Sequence, residues 1–227
     1  MSILGSFAIF ILKEEVLNKN MPIMTGVAAG VMLATTIWSL LIPSFEYNEN
    51  KKIVIASFAL GYIILIFVKI LCDRFAKSRV IENNRMYFAI TLHNIPEGLI
   101  IGVGFGVSAL NDSLYGAIAL ALAIGIQNFP ESMALSILLK NKDMKKNKII
   151  LLNFASAVVE PIFGIIGYFL TYNIMTALGT LLGFTAGMML YVLISEMILN
   201  SLTENESLGI IGILIGFVIM MMLENYL

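Results

Sequence analysis

Apolar residues run through this chain in blocks of about twenty, separated by short polar breaks. A bilayer's hydrocarbon core is about 30 Å thick and takes about 20 apolar residues per helix. The pattern predicts helices at 3–17, 23–42, 53–72, 86–107, 114–139, 149–170, 174–199 and 208–226. The first is the weakest, because only Ile3 to Leu12 are apolar before Lys13, Glu14 and Glu15. It is expected as a shortened helix. Glycines recur at spacings of four, at Gly26 and Gly30, at Gly98, Gly102 and Gly106, and at Gly179, Gly183 and Gly187. Such stripes let helices approach closely and are read as packing surfaces.

Composition sharpens this picture. The 227 residues are 59% hydrophobic and 13% charged, with a mean hydropathy of +0.93. The fold class is an all-α integral membrane protein, one polytopic domain over 1–227 with eight transmembrane helices. A net charge of −1 argues against nucleic acid as a partner, which needs a basic face. The lone Cys72 excludes an internal disulfide and a cysteine-based metal cluster. No cleavable signal peptide is expected, since the first block lacks a basic lead and a small-residue cleavage site.

Basic residues set the expected orientation. Lys140, Lys142, Lys145, Lys146 and Lys148 lie between the fifth and sixth blocks, and Arg74, Lys77, Arg79 and Arg85 between the third and fourth. Lys13, Lys19 and Lys69 join that side, leaving Lys51 and Lys52 opposite. The Lys-rich loop is placed in the cytoplasm and both termini outside, in the cell membrane.

One polar phrase appears twice within apolar sequence. T-L-H-N-I-P-E-G at 91–98 and G-I-Q-N-F-P-E-S at 125–132 pair His93 with Gln127, Asn94 with Asn128 and Glu97 with Glu131. Residues three or four apart share a helix face, so each phrase gathers its polar groups on one side. Facing each other, the two would supply one imidazole, two carboxylates and three amide oxygens. Pro96 and Pro130 cannot donate to the carbonyls of Leu92 and Ile126, and carbonyls freed at membrane depth are tolerated where they line a cavity or meet a ligand. Glu160, also followed by a proline, is a third mid-span carboxylate, and Glu196 lies nearer the cytoplasmic end of the seventh block.

A carboxylate at mid-bilayer costs a few kcal/mol, about 2.5–3.5 on insertion scales. From Arg85 to Lys140 no Lys or Arg intervenes, so protons or metal cations are expected to neutralise Glu97 and Glu131. Mixed imidazole, carboxylate and amide ligands suit Zn²⁺ better than Ca²⁺ or Cu⁺. Fe²⁺, Mn²⁺ and Cd²⁺ stay open, and no organic cofactor is called for. Most of the 14 methionines read as core filler. Met32, mid-span on a glycine-lined helix, is flagged as a further ligand.

These motifs resemble the ZIP (Zrt/Irt-like) family of divalent-metal transporters, in its bacterial GufA-like branch. The resemblance rests on A-A-G-V-M-L-A, H-N-I-P-E-G, Q-N-F-P-E-S, V-V-E-P and G-F-T-A-G-M-M-L-Y-V. It implies a 3+2+3 arrangement, with helices 1–3 and 6–8 as inverted repeats around a central 4–5 pair. It also implies a binuclear site: one metal on His93, Glu97, Gln127 and Glu131, with Met32, and the other on Asn94, Glu97, Asn128, Glu131 and Glu160. The implied activity is zinc uptake into the cytoplasm, not enzymatic catalysis, with divalent metal and the lipid bilayer as partners and a homodimer admitted. Asn128 stands where relatives often have Asp, removing one negative charge. Ser195-Glu196 stands where close relatives often carry His-Glu. Two alternatives compete. An intramembrane zinc hydrolase would use a bound metal and a carboxylate base but usually more than one His. A proton-coupled transporter of another solute would use Glu97 and Glu131 as relays.

Overall fold

A computed structural model describes residues 2–11, 14–75, 85–111, 114–141, 144–173, 178–203 and 205–226. Among them all regular structure is helical. In chain order these are α1 (Ser2–Ile11), α2 (Glu14–Thr35), a π-helical turn (Thr36–Leu41), α3 (Ile42–Glu46), α4 (Lys51–Phe75), α5 (Arg85–Asn111), α6 (Tyr115–Asn141), α7 (Lys146–Asn173), α8 (Leu178–Val192), a second π-helical turn (Leu193–Ile198), α9 (Leu199–Leu202) and α10 (Glu206–Tyr226). Among the described residues six apolar segments are long enough to cross a membrane, and a shorter one, Asn94–Ala109, lies in α5. The chain is a multi-pass membrane protein.

Most boundaries fall within four residues of those the hydropathy pattern predicts. The exceptions are the end of the first helix, expected at residue 17 where α1 runs to Ile11, and the start of α2, expected at residue 23. The expected break between residues 17 and 23 is absent, and the chain is helical from Glu14 through Pro22 to Thr35. Glu, Leu and Lys are good helix formers whatever their polarity. Pro22 is accommodated beside Thr25, whose hydroxyl donates to the carbonyls of Met21 and Pro22 at 2.9 and 3.2 Å. Residues 12 and 13 lie outside the described residues, as do Lys77, Arg79 and Lys142.

Chain contacts divide the molecule into two compact units. The first comprises Met1–Thr35, Ile118–Val158 and Leu193–Leu227, the second Thr36–Ala117 and Val159–Val192. The chain passes between them four times, and two of these passages coincide with the first residues of the π-helical turns.

Within the first unit, α2 lies against α10 through glycines. A Cβ added at Gly26 or Gly30 would strike the carbonyls of Gly209 or Ile213, and one at Gly212 or Gly216 those of Ile23 or Val27. Backbone-on-backbone contact of this kind is what small-residue stripes permit in lipid, where no hydrophobic effect drives helices together. Gly30→Ala is expected to lower stability by about 1–3 kcal/mol, the usual cost of overpacking; unfolding midpoints in detergent that match the parent would contradict this contact. Also in this unit, Ile9 of α1 packs on Met133 of α6, with Phe10, Met21, Met24, Phe129 and Ile137 around them.

The second unit repeats the device. Gly61 and Gly187 bring α4 and α8 together against the carbonyls of Phe184 and Phe58. Tyr62 and Tyr191 meet edge to face at 5.3 Å. The Lys69 ammonium lies 5.9 Å from the Tyr191 ring centre.

The apolar exterior fits a lipid solvent. On α4, α7 and α10, large side chains such as Ile63, Phe67, Leu151, Phe154, Ile165, Leu214 and Ile215 stand exposed. Water would penalise each, and hydrocarbon does not.

Candidate metal-handling site

Each unit carries one copy of the polar phrase. In the second unit, α5 presents Asn94, 6% exposed, and Glu97, fully buried at 0%. His93 is in the same helix, and its side chain lies outside the described residues. Pro96 sits inside α5 and cannot donate to the carbonyl of Leu92. Gly98, directly after Glu97, touches the carbonyl of Glu160 on α7. Gly102 and Gly106 continue the contact onto Gly164 and Thr171, and Gly167 reaches back to Leu99. The glycine stripe therefore brings the stretch around Glu97 against the stretch around Glu160. The Glu160 side chain is half-buried, and Pro161, inside α7, frees the carbonyl of Ala157 by the same logic.

In the first unit, α6 presents Gln127, Asn128 and Glu131, all buried, with Glu131 6% exposed. The Pro130 side chain lies outside the described residues. A polar ladder follows directly. Ser132 Oγ donates to the carbonyl of Phe129 at 3.0 Å, and Ser136 Oγ to that of Ser132 at 2.7 Å. Asn153 of α7 donates to Ser136 Oγ and to its own helix's Ile149 carbonyl, both at 3.0 Å. The sequence reading missed Ser132, Ser136 and Asn153. The one signal was the spacing of four between the serines, which puts both on one face. Gly5 of α1 also presses on Ser132 and Phe129, so the short first helix seats directly on the Glu131 segment.

Met32 belongs to this unit, fully enclosed on α2 one turn before the equally enclosed Thr35. The hydroxyl of Thr35 has no hydrogen-bond partner among the described residues, and neither has that of Ser195. Glu196, beside Ser195 in the second π-helical turn, is half-buried.

Four enclosed oxygens recur across the two phrases: Glu97 Oε2, Gln127 Oε1, Asn128 Oδ1 and Glu131 Oε1. All are acceptors, and hard or borderline cations are their natural partners. Among the described residues no group of three or more His, Cys, Asp or Glu forms a complete metal cluster. Asn94 with Glu97 and Glu160 gather in one unit, and Gln127, Asn128 and Glu131, with Met32 and Glu196 on other helices, belong to the other.

Helices of membrane-spanning length, with carboxylates and amides enclosed inside them, define a class: polytopic membrane proteins. Residues 75–224 match the sequence model of the family described as "ZIP Zinc transporter". The chain belongs to that family. It is 37% identical over 142 residues to the zinc transporter ZIP11 of Homo sapiens, covering 61% of this chain and 42% of that protein. It is 28% identical over 226 residues to the zinc transporter ZIPB of Bordetella bronchiseptica, covering 90% of this chain and 71% of that one. The zinc transporter GufA of Myxococcus xanthus shares 34% over 137 residues, 60% of this chain and 52% of its own length. The matched stretch thus spans about half or less of the human and Myxococcus relatives.

Proposed function

We propose that this protein carries a divalent transition-metal ion, zinc foremost, across the cell membrane into the cytoplasm, acting as a transporter and not as an enzyme. The observation that carries the reading is the burial of Glu97 and Glu131, each within the repeated N-x-P-E phrase, in a stretch that holds no Lys or Arg from residue 86 to residue 139. The relatives' shared description as zinc transporters supports zinc as the cargo. Fe²⁺, Mn²⁺ and Cd²⁺ offer the same ligand set similar chemistry, and no organic cofactor takes part.

In this reading the cargo exchanges its water for protein ligands at mid-membrane. One metal position takes His93, Glu97, Gln127 and Glu131, with Met32. The second takes Asn94, Glu97, Asn128, Glu131 and Glu160, so that Glu97 and Glu131 bridge. With Asn128 neutral, the second position holds its cation more weakly. Glu196 receives the ion on its way to the Lys-rich cytoplasmic side. The chain works as one polytopic domain of eight helices in a 3+2+3 arrangement with inverted repeats, both termini outside, compatible with a homodimer, and moves its cargo by alternating access.

Zinc uptake into proteoliposomes of the full chain, with elemental analysis of the purified protein and competition by other divalent metals, tests the reading. Parent protein should accumulate zinc, and Glu131→Ala should abolish the flux. Undiminished flux in the variant would remove Glu131 from the site, and metal-independent transport of another solute would overturn the assignment.

A further inference from the structure

We propose that the cleft between α1 and the start of α7 binds an anionic phospholipid, the acyl chain in the cleft and the phosphate on the neighbouring lysines. The cleft, about 310 Å³, is lined by Ile3 of α1 and by Asn147, Ile150, Leu151 and Phe154 of α7. The four α7 residues follow the spacing of one helix face. Ile3, Leu151 and Phe154 are exposed, and α7 is apolar and long enough to span the membrane from Lys146. At that position the cleft opens to acyl chains.

Its polar end is strongly basic. Lys145, Lys146 and Lys148 are all exposed, and the first turn of α7 has no acidic residue. The Lys146 ammonium stands 4.8 Å from the ring centre of Phe10 and 6.0 Å from that of Phe7, both on α1. Those rings hold the charge on the α1 side of the cleft without neutralising it, and an ammonium over a ring face keeps donors for an anion. Three cations within four residues repel one another and lie at the positive end of a helix dipole. A phosphodiester relieves both effects. Charge complementarity at one end and a lipid-facing apolar wall at the other select a phospholipid over a soluble acidic protein, which would leave the wall uncovered. Basic pockets between membrane helices take such headgroups by this chemistry. The inference goes beyond zinc transport and rests only on the membrane placement of the chain.

Native mass spectrometry of the full-length protein in neutral detergent, titrated with dioleoyl phosphatidylglycerol or dioleoyl phosphatidylcholine, tests it. The parent should retain phosphatidylglycerol at least about tenfold more tightly, since each lysine contributes about fivefold. Lys146→Gln should lose about fivefold, and Lys145→Gln/Lys146→Gln/Lys148→Gln most of the preference. Leu151→Trp, which fills the cleft and keeps every charge, should also weaken retention. If the triple variant misfolds, the two single substitutions decide. Equal retention of both lipids, or unchanged retention in Lys146→Gln or Leu151→Trp, overturns the proposal. So does displacement of the lipid by equimolar free glycerol phosphate, or by polyglutamate.

Discussion

Glu97→Gln is expected to bind zinc at least about 100-fold more weakly than the parent, beyond the 10–100-fold typical when a mere outer-shell partner of a metal is lost. The side chain is fully enclosed, and glutamine keeps its length and most of its shape. Packing is therefore preserved while one negative charge goes. The two consequences have opposite signs. Without metal the variant should melt no lower than the parent, because a carboxylate held at mid-bilayer costs about 2.5–3.5 kcal/mol. With zinc the parent should gain stability by mass action and the variant should not. Thermal melts in detergent with and without zinc, beside direct binding measurements, read both. A variant that keeps the parent's zinc-induced shift would show that Glu97 is no ligand.

Asn153→Asp should destabilise the folded protein by about 2–4 kcal/mol, although the two side chains have nearly the same shape. Asn153 is 2% exposed, and its amide donates to Ser136 Oγ and the Ile149 carbonyl. Ser136 has already committed its proton to the carbonyl of Ser132. A carboxylate would place an oxygen against acceptors on both sides, and a buried acceptor facing acceptors is penalised in full. Zinc flux should fall as well, since the ladder fastens α7 to the turn of α6 that follows Glu131. Unfolding midpoints equal to the parent's would mean that the amide's donors contribute little.

The helices were legible because apolar length and the boundaries of lipid coincide. The 208–226 and 53–72 expectations meet α10 and α4 within a few residues. Where that coincidence fails, so does the reading. Residues 18–22 were read as a connection because they are polar, yet they are helical, since propensity and neighbours, not polarity, decide helix continuity. The buried carboxylates Glu97 and Glu131 were legible because a charge in an apolar run is costly and therefore conspicuous. Ser132, Ser136 and Asn153 were not, because small polar residues are tolerated singly in such runs and only their pairing gives them weight. The π-helical turns carry no compositional mark at all. T-I-W-S-L-L and L-I-S-E-M-I would read as ordinary helix in any hydropathy profile.

Those two turns set a constraint on how the sequence can vary in length. A π-helical turn accommodates one residue more than the α-helix around it, and each α-helical residue turns the chain by about 100°. Removing a single residue from either turn could restore an unbroken α-helix at no cost in local hydrogen bonding. It would also rotate the helix that continues directly from the turn by about 100°, taking Ser44 of α3 away from Gly179, or Ser201 of α9 away from Gly209. In these two hexapeptides, conservative substitutions should therefore be tolerated where one-residue deletions are not.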